Sequence, residues 1–318
     1  MTGRVGELTA VVLAGGLAYE REVSLRSGRR VCEALKSAGV AVRTLDPDAA
    51  LLAGLDGDRP DAVFVALHGA DGEDGALRSV LDLVDVRYVG SDAGACRLAW
   101  DKPTAKSVVR AAGVSTPDWL ALPHSTFREL GAAAVLDRIV DRLGLPLMVK
   151  PAQGGSALGA RVIRSAAELP AAMVSCLSYG DTVLLEPYVE GVEVAVSVVD
   201  LGDGPVALPA VEIVPTSGVF DYASRYTAGM TTYHTPARLS AADATAVADV
   251  AVRAHRALGL RDLSRTDAIG AADGTVQFLE VNVSPGMTET SMTPMSIEAA
   301  GLELGEVCAT LLHRAASR

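Results

Sequence analysis

Two short stretches near the end of the chain constrain its fold more than any other feature. Residues 263–269 and 277–283 are apolar-rich with polar residues interleaved, and the turn Ala271-Ala272-Asp273-Gly274 lies between them. That pattern predicts two strands paired as a hairpin. On a strand, residues two apart share a face, so Glu280 and Asn282 project together. Pairing then brings Asp267 beside them. Oxygen ligands converging with room for water and phosphate oxygens is how proteins hold Mg²⁺, which rarely receives a full protein cage. A solvated hairpin face with scattered acids would present the same residues.

Upstream, strand and helix patterns alternate. Residues 8–14 read as a buried strand ending in Gly15-Gly16, and residues 24–38 as a helix stopped by Gly39, with Ser24 suited to its N-cap. Strands follow at 41–45 and 62–67, the second running into His68-Gly69. Such an open α/β layout binds ligands at the carboxyl ends of its strands, where Gly15-Gly16 and His68-Gly69 fall. A unit from residue 92 carries a helix around 102–112, a long helix at 127–143, and strands at 147–150 and 160–163 flanking a glycine-rich turn. A third unit has strands at 192–200 and 207–213, a polar loop at 215–236 without obvious structure, a helix at 241–258, the acidic hairpin and a last helix. A loop of that length suits a lid or binding loop. The fold class is therefore α/β in three lobes, 1–91, 92–186 and 187–318.

A net charge of −11 and a pI near 5.0 argue against nucleic acid or an anionic membrane as partner. No run approaches the roughly 18 apolar residues of a membrane span. Residues 1–7 lead into a short apolar run without signal-peptide design. Cys32, Cys96, Cys176 and Cys308 form no metal or redox spacing, so reduced thiols in the cytoplasm are expected. Of 28 basic residues only Lys36, Lys102, Lys106 and Lys150 are lysines. In so Arg-rich a chain, a retained lysine marks a place that needs a compact, flexible charge. Lys102 and Lys150 both sit in motif-like contexts.

Lys150-Pro151-Ala152-Gln153-Gly154-Gly155-Ser156-Ala157-Leu158-Gly159 joins two apolar strands. Its glycines let backbone N–H groups turn inward on a phosphate that Lys150 also reaches. The order of Lys and Gly excludes a P-loop and fits a hairpin flap. Glu186-Pro187-Tyr188-Val189-Glu190-Gly191-Val192-Glu193 links two more strands, and such a backbone can recognise adenine while Glu193 accepts from ribose hydroxyls. A surface turn would read the same way. Glu20 stands at the ligand edge of the first strand, placed to neutralise an ammonium group, and His68 at the equivalent edge of another.

In this order the motifs resemble those of the D-alanine–D-alanine ligases of the ATP-grasp superfamily, from residue 8 to residue 312. They are Gly15-Gly16 with Glu20-Arg21-Glu22-Val23-Ser24-Leu25, Leu67-His68-Gly69 with Gly72-Glu73-Asp74-Gly75, and Asp101-Lys102. Lys150-Pro151 with Gly155-Ser156, Tyr222 with Tyr226, Arg265 with Asp267, and residues 280–288 continue the series. The resemblance implies ATP held between the second and third lobes, with Lys102, Lys150, the flap at Gly155 and lid residue Arg225 on its phosphates. It puts Glu186 and the backbone at Tyr188 and Val189 on adenine, and Glu193 on ribose. Asp267, Glu280 and Asn282 would bind two Mg²⁺ ions, a site that Mn²⁺ also suits. Glu20 and His68 would face the first amino acid, and Ser156 and Tyr226 would close a hydrogen-bonded contact over the site. Arg265 would meet the charge of the tetrahedral intermediate. Ser291 and backbone near Gly286 would hold the second carboxylate, with Met292 lining its pocket. The implied reaction joins two D-alanines through an acyl phosphate for peptidoglycan precursors, in a cytoplasmic homodimer with small-molecule amino-acid substrates.

The sequence departs from that pattern at Gly154, Ala157, Arg225, Asp262, Ser264 and Ala268. None removes a phosphate or metal ligand, but by the resemblance Arg225 and Ala268 would lie near enough to substrate to loosen strict D-alanine specificity. A related ligase with a different second substrate is thus the nearest alternative. A nucleotide-binding regulator without catalysis is another, although it would have no need of Arg265. A dinucleotide-dependent dehydrogenase lacks its G-x-G-x-x-G after the first strand.

Overall fold

The computed structural model describes residues 8–318 apart from Ala272, and of Tyr226 the backbone alone. The readings of residues 1–7, of Ala272 in the hairpin turn and of the Tyr226 side chain lie outside the described residues. The first sheet holds β1 (Thr9–Leu13), β2 (Ala41–Leu45), β3 (Ala62–Val65) and β4 (Tyr88–Val89). All are parallel, in the order β2-β1-β3-β4. The chain crosses over β1 between β2 and β3, and at that switch point the loops leaving β1 and β3 diverge to form a crevice. The helix packed above starts at Arg21, so Ser24 lies inside it rather than capping it. Its hydroxyl instead accepts from Gly15 N–H at 2.9 Å and donates to Ala66 C=O at 2.8 Å, joining the two loops that bound the crevice. At Gly28 of the same helix a Cβ would stand 2.3 Å from that of Ala14, so only glycine lets helix and strand approach this closely.

The second sheet is antiparallel, β5-β8-β6-β7, from β5 (Leu120–Pro123), β6 (Leu147–Pro151), β7 (Arg161–Ile163) and β8 (Thr182–Pro187). β6 and β7 pair with Leu147 opposite Ile163, so the glycine-rich segment is a hairpin tip as expected. The long helix expected at 127–143 is two helices, His124–Leu130 and Ala132–Leu143. Gly131 separates them with a φ of +85°, which no helix interior tolerates.

The third sheet contains β9 (Gly191–Val199), β10 (Val206–Ala207), β11 (Val211–Pro215), β12 (Thr231–His234), β13 (Leu263–Ala271) and β14 (Val276–Asn282). Its order is β12-β11-β9-β13-β14, with β10 also on β9. The single strand expected at 207–213 is broken between β10 and β11, where Pro209 cannot donate to a ladder. The 215–236 loop is more ordered than its sequence suggests. β12 pairs back onto β11, and a short helix, Tyr222–Tyr226, is N-capped by Asp221. Apolar burial does not follow chain order. Leu311 and Val307 of the last helix share a core with Val12 and Phe64 of the first sheet and Leu35 of the helix packed on it. Cys96, Ala105 and Val109, from the helices at 93–111, pack with Val196, Ala268 and Phe278 of the third sheet. Among the described residues no helix is long and apolar enough to cross a membrane.

Candidate active site

The hairpin expected at the outset is present. Asp267 of β13 faces Glu280 of β14 in register, and Arg265 faces Asn282. A bulge between Asp267 and Ala268 shifts the ladder directly beside these acids, a place where bulges re-aim side chains. Arg265 grips Asp267 bidentately at 2.7 and 2.9 Å. Burial would lower Arg265, but Asp267 outweighs it and raises the guanidinium above its ordinary value. The Asn282 amide nitrogen lies 3.5 Å from Asp267 Oδ2. Among the described residues no three His, Cys, Asp or Glu groups converge as a metal cage. Two carboxylates and an amide side by side nonetheless suit a hard cation that keeps water and phosphate oxygens in its shell.

Opposite the hairpin lies the second sheet, and the cleft between them is lined with cations. Lys102 opens the Lys102–Ala111 helix, capped by Asp101, and its Nζ donates to Gly154 C=O at 2.7 Å and pairs with Glu280 at 3.3 Å. Lys150, at the end of β6, pairs with Glu186 Oε1 at 2.5 Å. Burial would raise Glu280, but Lys102, Lys150, Arg225 and Arg265 hold it well below the usual carboxylate range. The cleft divides into a part of about 90 Å³ reached by Lys102, Lys150, Gly155, Arg225, Asp267 and Glu280. A second part of about 80 Å³ is bounded by Met148, Glu186, Tyr188, Val189, Glu193 and Leu279. Burial, with Asp267 and Glu280 adding to it, pushes Glu193 up to about 7. Glu186, expected on adenine, has both oxygens engaged, by Lys150 and by Lys106 at 2.7 Å. Lys106 is the residue sequence reasoning passed over. Its signal was a lysine four residues after Lys102, on the same helical face, in a chain with only four.

A pocket of about 120 Å³ adjoins the cleft and contains Glu20, His68, Glu73, Ser156, Arg225 and Arg265. Glu20 is buried, and among the described residues no donor meets its carboxylate. Gly69 and Gly155 crowd it. A Cβ at Gly69 would fall 2.4 Å from Glu20 Oε2, at a φ of +67°, and one at Gly155 would fall 3.0 Å from Oε1. His68 donates from Nδ1 to Ser284 C=O at 2.9 Å, since a carbonyl only accepts. Its Nε2 then accepts from Ser27 Oγ at 2.9 Å, and Ser27 accepts from Met287 N–H at 3.1 Å. Burial pulls this imidazole down to about 4, so it is neutral and fixes the loop after β14 against the first sheet. Glu73, a second acid in the same pocket, is pushed up to about 8 by burial. In sequence Glu73 looks like a surface acid, because it stands in the glycine-rich turn Gly69-Ala70-Asp71-Gly72-Glu73-Asp74-Gly75.

The far wall is the segment from Gly286 to Met292. Ser291 Oγ accepts from Thr288 N–H at 3.0 Å, and a Cβ at Gly286 would meet it at 2.7 Å. The Met292–Ala299 helix points its N-terminus toward this pocket, an arrangement suited to a carboxylate. Met292 packs with Phe220 of the 215–236 loop. Arg225 from that loop stacks 4.2 Å over Phe220, and its buried Nε has no partner among the described residues. The loop thus reaches both pocket and cleft. A larger cavity of about 820 Å³ lies outside, between the first and second sheets, and meets the pocket at Glu20, Gly69 and Gly155.

The chain is similar over its length to proteins of known family. Residues 108–313 match the family described as the D-ala D-ala ligase C-terminus. A D-alanine--D-alanine ligase of Anaeromyxobacter sp. (strain K) is 40% identical over 305 residues, 96% of each chain. One of Bordetella avium is 38% identical over 318 residues, covering 100% of this chain and 97% of the relative. Among solved structures, the VanG D-Ala:D-Ser ligase of Enterococcus faecalis superposes with a TM-score of 0.81 at 27% identity, covering 97% of this chain and 99% of that one. The Bacillus anthracis D-alanine--D-alanine ligase complexed with ATP superposes at 0.80 with 25% identity and 98% coverage of each.

Proposed function

The chain belongs to the D-alanine–D-alanine ligase family, and from that premise we propose that it is an ATP-dependent ligase joining two D-alanines for peptidoglycan precursors. The observation that carries the reading is the meeting of two regions: a lysine-lined cleft beside the Asp267–Glu280 pair, and a pocket that holds the buried carboxylate of Glu20. In the proposed roles, Lys102 and Lys150 hold the ATP phosphates under the flap at Gly155. The backbone at Tyr188 and Val189 takes adenine, Glu193 the ribose, and Glu186 fixes the lysines. Asp267, Glu280 and Asn282 would hold Mg²⁺, which when bound neutralises charge on the transferring phosphoryl group.

Glu20 receives the first amino acid's ammonium and leaves its carboxylate directed at the cleft. That carboxylate attacks the γ-phosphorus, ADP leaves, and the resulting acyl phosphate is shielded by the 215–236 lid with Ser156 and Tyr226. Ser291 and the backbone at Gly286 hold the second amino acid's carboxylate beside Met292, so that its amine attacks the carbonyl carbon and phosphate departs. Arg265, fixed by Asp267, stabilises the oxyanion in a site that excludes water. The reading includes a cytoplasmic homodimer, supported by the family likeness and by four cysteines that remain buried thiols. It also takes the three sheets as the lobes 1–91, 92–186 and 187–318. Phosphate release over a panel of D- and L-amino acids, with product mass measured, tests it. D-alanine should give phosphate and dipeptide in equal amounts; another second amino acid preferred over D-alanine would reassign the substrate.

A further inference from the structure

One buried lysine lies beside the cleft without entering it. Lys106 is wholly buried and bounds neither part of the cleft, whereas Lys102 bounds one part and Lys150 both. Its Nζ lies 2.7 Å from Glu186 Oε2, while Lys150 takes the other oxygen of the same carboxylate at 2.5 Å. The Trp119 ring, 5.3 Å from the Lys106 nitrogen, covers its outer side. Two ammonium groups and one carboxylate sum to a single positive charge, placed where water cannot screen it. Burial lowers Lys106 to about 8, which still leaves it protonated at neutral pH.

We propose that Lys106 is a positioning residue for the nucleotide's phosphates: by occupying one oxygen of Glu186, it keeps that carboxylate from neutralising Lys150. Without Lys106, Glu186 and Lys150 form a neutral buried pair, and the cleft loses one charge that a triphosphate would meet. The role concerns charge rather than shape, so it predicts a loss confined to ligands that carry phosphate. This inference rests on the reading of the cleft as the nucleotide site.

The test is equilibrium binding of a non-hydrolysable ATP analogue and of adenosine, with Mg²⁺ present, to the unaltered protein and two variants. Lys106→Met should weaken the analogue by about ten- to a hundredfold, the size of one lost charge-assisted interaction, and leave adenosine unchanged. Lys106→Met/Glu186→Gln, which frees Lys150 from its countercharge, should recover most of the analogue's affinity. Unchanged analogue binding in Lys106→Met overturns the proposal, as does an equal loss of analogue and adenosine. If Lys106→Met does not fold, the double variant decides: near-normal analogue affinity supports the proposal, and weak affinity overturns it. An unaltered protein that binds no analogue would instead remove the nucleotide reading itself.

Discussion

The cleft and the adjoining pocket handle charge in opposite ways. Each lysine at the cleft, and Lys106 behind it, already has a protein partner: Lys102 meets Gly154 and Glu280, and Lys106 and Lys150 share Glu186. In the pocket, the Glu20 carboxylate meets no donor among the described residues, and the Arg225 Nε, on a side chain shared with the cleft, is buried without an acceptor. A carboxylate in a pocket without a protein donor can accept charge-assisted hydrogen bonds from a ligand's ammonium group. The lysines at the cleft are therefore held in advance by the protein's own groups, whereas the Glu20 carboxylate is left open to a ligand.

Substitutions can break this contrast, and the largest effect should come from the cleft. Lys150→Met leaves Glu186 with one cation and takes a positive charge from the phosphates, so phosphate release should fall by at least about a hundredfold, with nucleotide binding weakened as well. Near-normal turnover would show that Lys150 is only a hairpin lysine. Glu20→Gln removes the charge proposed to meet the first amino acid's ammonium. The KM for the first amino acid should rise by about ten- to a hundredfold while that for ATP stays put. An equal rise in both would mean that Glu20 joins the lobes instead of holding an ammonium. Arg225→Ala should slow ligation by about tenfold yet spare analogue binding, because the lid arginine acts on bound substrates. Arg225→Lys should keep activity, and a changed preference for the second amino acid would place this residue in specificity.

The smallest effect on catalysis at neutral pH belongs to His68, where stability is the readout. Its folded-state value, about 4, lies below the ordinary 6.5, so the unfolded chain binds more protons between these values. The contribution is complete above pH 6.5 and is lost as pH falls through about 4, amounting to about 3 kcal/mol. His255 is lowered similarly. In urea titrations from pH 7 to pH 4, His68→Gln should therefore lose less stability on acidification than the unaltered protein. Identical slopes would contradict a neutral, buried His68.

Much of this was legible in the sequence, and the reasons differ by region. The hairpin bearing Asp267, Glu280 and Asn282 and the flap between β6 and β7 follow from local periodicity and glycine placement, which need no tertiary knowledge. The break at Gly131 and the split at Pro209 were also written locally, but weaker signals were overridden by longer apolar patterns. Ser24 was misplaced because N-cap residues also suit the interior of a helix when a neighbouring loop offers partners. What stayed illegible is long-range. Lys106 meets Glu186 across 80 residues of sequence, and His68 meets Ser284 across 216. The packing of the last helix on the first sheet is of the same kind.

The cleft and the pocket are proposed to meet at one atom, the carboxylate oxygen that leaves the first amino acid with phosphate. The most direct measurement follows that oxygen, using D-alanine labelled with ¹⁸O in its carboxylate, ATP, Mg²⁺ and the purified protein, and reading the released phosphate by mass. Transfer through an acyl phosphate predicts one labelled oxygen in each phosphate formed alongside dipeptide. Unlabelled phosphate, or release that does not depend on D-alanine, would contradict the account.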